Sequence, residues 1–213
     1  MNTEMEAIIV AGGFGKRMGA LTRETPKSML LIEDEPIISH IMRRMAEAFG
    51  SINFIIGVAS NFGGEKIVEY VNNNHPPKSL VTFVPHVSPI EGGGLYTDLL
   101  SYADGQFVGA PGDIIVLPEA YQQVACAFQS NKIAGAMTLS PALSAIDTHG
   151  VRKKNNSYMI DLIWPRPREI KKGYGCDMTI WSSDTKFIEL LRQYPDPMKS
   201  IGVVFMKAIK DSL

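Results

Sequence analysis

The sequence predicts an α/β fold: a mostly parallel sheet, mixed toward its C-terminal side, with helices on both faces in three layers. Three observations predict it. Apolar runs of strand length alternate with segments whose apolar residues recur at helical spacing, the connections are short, and the first run ends in paired glycines. With 213 residues the chain can bury one sizeable core. It reads as a single domain over 1–213, with an α/β core over 1–140 and a mixed portion over 141–213.

Glu6 to Ala11 is an apolar run entering Gly12-Gly13, the pattern of a buried parallel strand feeding a glycine loop. Pro36 opens a helix, as proline does at a first helical position, with Ile37, Ile38, Ile41, Met42, Met45 and Phe49 at helical spacing and Gly50 at its end. Ile52 to Ala59 is the second strand, Glu65 to Val71 a short helix, Asn72 to Pro77 a turn, and Leu80 to Val84 the third strand. A helix over Leu95 to Ala103 precedes the fourth strand, Phe107 to Ile115, which carries Gly112-Asp113. Pro118 starts a helix with Ala120, Tyr121, Val124, Ala125 and Phe128 on one face, and Ile133 to Leu139 is the fifth strand. The rhythm then changes to strands at His149 to Lys153, Tyr158 to Trp164 and Cys176 to Trp181, with helices near 185–193 and 201–210.

Composition excludes several classes. A net charge of -1 gives no broad attraction to nucleic acid, and the short runs Arg152-Lys153-Lys154 and Lys171-Lys172 read as solvated turns. The apolar stretch Ala7 to Ala11 is too short for a signal segment or a membrane span. Cys126, on a helix face, and Cys176, in a strand, read as small core hydrophobes. A reduced, cytoplasmic protein without nucleic-acid or membrane partners is the expectation, with homo-oligomerisation left open. His40, His75, His86 and His149 share no zinc-ligand spacing.

The chemistry gathers at Ala11-Gly-Gly-Phe-Gly-Lys-Arg-Met-Gly19. Glycines after a strand let successive N–H groups converge on an anion, at the sheet end where such folds bind ligands. Met18 stands where the dinucleotide fingerprint needs its third glycine, and Gly15-Lys16-Arg17 lacks the hydroxyl of the Walker loop. What remains is Gly12, Gly13 and Gly15 with Arg17, then Pro26-Lys27. Arg17 offers a planar fork for two phosphate oxygens and Lys27 a compact charge. Amides plus two cations suit a triphosphate attacked at its α-phosphorus while pyrophosphate leaves. Asp113, at a strand mouth, is placed to hold Mg²⁺ through one carboxylate, as Mg²⁺ is commonly held beside phosphates; read without the upstream loop, it is a turn or capping residue.

With these residues the sequence resembles the sugar-phosphate nucleotidyltransferase family, which makes NDP-sugars from an NTP and a sugar 1-phosphate. Ala11 to Thr22 followed by Thr25-Pro-Lys-Ser-Met-Leu30 resembles the family signature. The resemblance implies a Rossmann-like fold, Mg²⁺ as cofactor, and an NTP and a small phosphorylated substrate as partners. It implies that Ala11 and the loop glycines bind the nucleotide and that Arg17 and Lys27 are catalytic. On the same footing His86 reads the base, and Gly92 and Gly93, within Glu91-Gly-Gly-Gly-Leu95, pack against it. Gly112-Asp113 resembles the metal-binding Gly-Asp, His149-Gly150-Val151 the substrate-side Tyr-Gly-Val, and Pro165-Arg166-Pro167 the Glu-Lys-Pro, which makes Gly150 and Arg166 the acceptor-binding residues.

The sequence also departs from that pattern. Arg166 keeps a lysine's charge but not its geometry, and Pro165 replaces a carboxylate. The Asn and Gly expected near Cys176-Asp177 are not clear. The sequence reaches Leu213 without the family's later Trp-x-Asp metal ligand, as a truncated chain, a shorter subfamily or a different second ligand would explain. Asp98, Asp104, Asp161 and Asp177 are the alternatives for that ligand, and Trp164 is either core or a sugar-stacking ring. Two further readings stay open: a cytidylyltransferase for phosphocholine or a similar head group, and an inactive nucleotide-binding regulatory subunit.

Overall fold

The computed structural model describes residues 5–13, 15–87, 98–131, 136–140, 149–153, 160–165 and 174–183. The first apolar run forms strand β1, Met5–Val10, with Ala7, Ile8 and Ile9 fully buried, as a strand covered on both faces requires. Strand β4, Ile52–Ala59, lies parallel to it with Ile8 opposite Ile55, and β5, Val81–His86, continues outward from β4. The chain then returns across β1, and β6, Phe107–Pro111, pairs parallel on its other side with Val10 opposite Pro111. Strand order therefore reverses between β1 and β6, which opens a crevice at their carboxyl ends.

Between β1 and β4 the chain makes a small hairpin, β2 (Leu31–Ile32) with β3 (Glu35–Pro36), which turns on Glu33 and Asp34 at φ 50 and 67. Helix α1, Ile37–Phe49, follows. Pro36 is its cap and not its first helical residue, because Pro36 still pairs with Leu31. Ile38, Ile41, Met42 and Met45 face inward and are at most 1% exposed, and the Gly50 N–H closes the last turn on the Ala46 carbonyl at 2.8 Å. Helix α2, Gly64–Asn74, runs through Asn72–Asn74, where the sequence suggests a turn. The Asn73 and Asn74 amides donate to the carbonyls of Glu69 and Tyr70, both at 2.8 Å, so these asparagines bond to their own helix rather than breaking it.

Helix α3, Pro118–Asn131, buries Tyr121, Val124 and Ala125 and packs against α1. Cys126 is exposed, contrary to the expectation of a core thiol, since it lies just past the inward stripe. Strands β7 (Ala136–Ser140), β8 (His149–Lys153), β9 (Ile160–Pro165) and β10 (Tyr174–Ser183) complete the eight-stranded sheet. The order is β5-β4-β1-β6-β10-β8-β9, with β7 also against β10. Strand β10 is antiparallel to β6, β7 and β8, so β7 keeps the direction of β6 while β10 separates them. The fifth strand of the sequence reading is thus β7, which pairs with β10. Among the described residues strand β5 is the outer strand on its side, and it carries the exposed Pro85. Gly112-Asp113 lies just beyond β6, in the turn that follows it. Of the helix read over 95–103, residues 98–100 are helical and 101–103 are not, while 95–97 and the helices near 185–193 and 201–210 lie outside the described residues.

Candidate nucleotide-binding site

The loop leaving β1 is held on both sides. The Ala11 N–H bonds to the Gly57 carbonyl of β4 at 2.9 Å, and the Gly112 N–H to the Val10 carbonyl at 2.8 Å. The mouths of β1 and β6 are thereby joined at the point of strand reversal. Beyond the loop, residues Lys16–Thr22 form a 3₁₀ segment, pinned where the Thr22 hydroxyl donates to the Gly15 carbonyl at 2.8 Å. Arg17 lies in this segment, and its side chain is outside what is described.

His86 ends β5, two strands from β1, yet its imidazole lies over Gly12. A Cβ at Gly12 would collide with that ring, so the close approach depends on glycine there. The side chain is 6% exposed, hydrogen-bonds to the Gly12 main chain, and its Nδ1 has no partner among the described residues. Burial lowers its proton affinity below the ordinary value of 6.5, opposed by the Gly12 bond and the charge of Asp98. Both the N–H and the hydroxyl of Ser60 donate to the His86 carbonyl, each at 2.8 Å.

Lys27 opens the 3₁₀ turn Lys27–Met29, and its ammonium forms an ion pair with the Asp113 carboxylate from 86 residues away. The two side chains are 37% and 30% exposed, so both remain reachable from the crevice. The arrangement gathers loop amides, a cation and a carboxylate at one sheet end. Asp113 fits the role of a single carboxylate ligand for Mg²⁺, the usual arrangement beside phosphates. Among the described residues no three His, Cys, Asp or Glu side chains cluster as a metal site.

The other sequence candidates fall apart by position. Asp104 is not a second ligand: its N–H donates to the Glu6 carboxylate at 2.9 Å, at the start of β1 and the far end of the sheet from Gly12. Asp98 is the exception: it is exposed on a helical turn, but near enough to His86 for its charge to act on the imidazole. Gly150 sits on β8 opposite Trp164 and Cys176, Asp161 on β9, and Asp177 on β10 opposite Leu139. Gly92, Gly93 and Arg166 lie outside the described residues. Sequence reasoning did not single out Ser60 or the Gly63-Gly64 pair, whose place directly after β4 is the available signal.

A glycine loop, a lysine and a carboxylate at the reversal point of a parallel sheet define a phosphate-binding α/β domain. Residues 6–175 match the nucleotidyl transferase family model, and the chain belongs to that family. It is 34% identical over 112 residues to the bifunctional protein GlmU of Methanocaldococcus jannaschii, covering 52% of this chain and 25% of that protein. It is 40% identical over 79 residues to glucose-1-phosphate cytidylyltransferase of Salmonella typhimurium, covering 37% of this chain and 30% of that one. The chain thus spans about a quarter of the length of the GlmU relatives it matches. The fold is that of a putative glucose-1-phosphate thymidylyltransferase from Bacillus anthracis, with a TM-score of 0.81 at 19% identity over 97% of this chain and 83% of that one. The inositol-1-phosphate CTP transferase of T. maritima gives 0.74 at 19% identity, over 97% and 81%. Among the described residues no helix is long and apolar enough to cross a membrane.

Proposed function

We propose that this chain couples an NTP to a sugar 1-phosphate, releasing pyrophosphate and giving an NDP-sugar. The observation that carries the reading is the Lys27–Asp113 pair beside Gly12 and Gly13, at the crevice between β1 and β6. Family membership and the cytidylyltransferase and GlmU relatives support a sugar phosphate as acceptor.

In the proposed reaction an oxygen of the acceptor phosphate attacks the α-phosphorus in line. The bond from that phosphorus to the bridging oxygen breaks, and its electron pair leaves with pyrophosphate. The acceptor is already ionised, so the site must position groups and stabilise charge more than remove a proton. Lys27 stabilises charge at the α-phosphate, and Arg17 with the amides of Gly12, Gly13 and Gly15 holds the departing pyrophosphate. His86 contacts the base beside Gly92 and Gly93, and Gly150 and Arg166 hold the acceptor. Asp113 would hold Mg²⁺, which when bound supplies charge neutralisation between acceptor and triphosphate. The reading carries with it a cytoplasmic, single-domain enzyme without nucleic-acid or membrane partners.

Pyrophosphate release with Mg²⁺, each NTP in turn, and a panel of sugar 1-phosphates plus phosphocholine tests it. Release with a sugar 1-phosphate supports the reading, and release with phosphocholine alone moves the acceptor to a head group. NTP binding without release from any acceptor would make the chain a regulatory subunit.

A further inference from the structure

The turn between β4 and α2 touches both halves of the candidate site, although neither the loop motif nor the proposed reaction uses it. At one end Ser60 donates its N–H and its hydroxyl to the His86 carbonyl, each at 2.8 Å. At the other end Gly63, at φ 63, lies so close to Pro26 that a Cβ there would sit 2.7 Å from both Cδ and Cγ of the proline ring. That backbone conformation is strained for any side chain, and the approach leaves no room for one. One helical turn further, the Lys66 ammonium donates to the Glu24 carbonyl at 2.6 Å. Gly63 and Lys66 therefore grip the residues on either side of Thr25, just before Lys27.

From the other direction α1 holds the end of the same turn, where the Ile37 N–H bonds to the Leu30 carbonyl at 2.9 Å. Lys27 thus stands on a short 3₁₀ turn fixed at both ends, with its ammonium directed to Asp113. A flexible lysine stem can reach many points, and its backbone anchor decides which of them it reaches. We propose that Ser60, Gly63 and Lys66 are positioning residues: the β4–α2 turn fixes Lys27 relative to His86 and so sets the spacing between the phosphate end and the base end of the nucleotide site. The proposal rests on the assignment of Lys27 and His86 to one nucleotide.

Two measurements test it. In the first, kinetic constants are compared across variants. Lys66 is exposed and its substitution leaves the core untouched, so Lys66→Met should lower kcat about fivefold to tenfold while KM for the NTP stays within about twofold, as a lost positioning contact does. Lys66→Arg, which can still donate to the Glu24 carbonyl, should restore most of kcat. Ser60→Ala, acting through His86, should instead raise KM for the NTP.

The second measurement is independent of turnover. An amine-acylating reagent is applied to the whole protein, and modification of Lys27 is followed by peptide mass spectrometry. The Asp113 ion pair shields the amine, so Lys27 should react slowly in the wild type, several-fold faster in Lys66→Met and Gly63→Ala, and at the wild-type rate in Lys66→Arg. Lys78, outside the turn, should react equally in all. Unchanged Lys27 labelling in Lys66→Met would overturn the proposal, as would kcat and KM changing together in every variant. A wild type that releases no pyrophosphate would defeat the proposed function, while the labelling would still decide the role of the turn.

Discussion

Lys27 and Asp113 sit 86 positions apart, and each is unremarkable alone: a lysine after a proline, an aspartate in a turn. Their partnership gives each a testable weight. Lys27→Ala or Asp113→Ala should lower turnover by at least about 10²-fold, the scale of losing one electrostatic stabiliser, and near-normal turnover in either would sink the assignment. In the nucleotide-free protein Lys27 competes with any divalent cation for Asp113, so Lys27→Met should bind Mn²⁺ more tightly than wild type by electron paramagnetic resonance. Asp113→Asn should bind it more weakly. His86 supplies a pH dependence. Its proton affinity is depressed by burial, against the pull of Asp98 and the Gly12 bond, so its neutral form favours the fold. That stability is present above the ordinary value of 6.5 and is lost as pH falls below it. The melting temperature should decline as pH falls from about 6.5 toward 5, and His86→Gln should flatten the decline. The sequence shows each of these residues but not their meeting, because neither the contact between Lys27 and Asp113 nor the stacking of His86 over Gly12 leaves a mark at short range.

Among the elements, a strong apolar pattern makes β4 legible to the residue and β1 to within one residue at each end. Strand β4 runs from Ile52 to Ala59 as its sequence run does, since all but Asn53 of its residues are apolar or glycine and buried. Helix α2 was less legible, because asparagine marks turns in general while Asn73 and Asn74 here bond back to their own helix. Cys126 illustrates the same limit: one position along a helix separates the buried Ala125 from solvent. The α1–α3 layer should be sensitive to lost volume. Met45 is 0% exposed, and Met45→Ala should cost about 2–5 kcal/mol in chemical denaturation, as buried large-to-small changes do. Tyr121 offers a contrast. It is fully buried, burial pushes its hydroxyl's proton affinity up, and that hydroxyl has no partner among the described residues. Tyr121→Phe should therefore be neutral or stabilising by the same assay, since it removes an unpaired buried polar group.

At the scale of the molecule, the α/β core over 1–140 leans on the portion that follows it. Strand β10 lies between β6 and β7, its Ser182 hydroxyl donates to the Phe107 carbonyl at 2.9 Å, and the Gln106 amide reaches that hydroxyl at 3.3 Å. A fragment ending at residue 140 would leave β6 and β7 with unpaired ladders, and it should sediment as aggregate where the full chain remains in solution. The sequence shows the β10 strand but not its partners, because an antiparallel insertion between two strands of like direction depends on long-range pairing. The opposite margin of the sheet is protected by different means. Pro85 sits on the outermost strand among the described residues, with its pairing to β4 complete through His86, so the donor it lacks is missing from the outward side. A second molecule approaching that margin finds an interrupted ladder, which discourages end-to-end polymerisation of sheets. Pro85→Val would complete the template, and concentrated solutions of that variant should scatter light and bind amyloid dyes while the native protein stays clear.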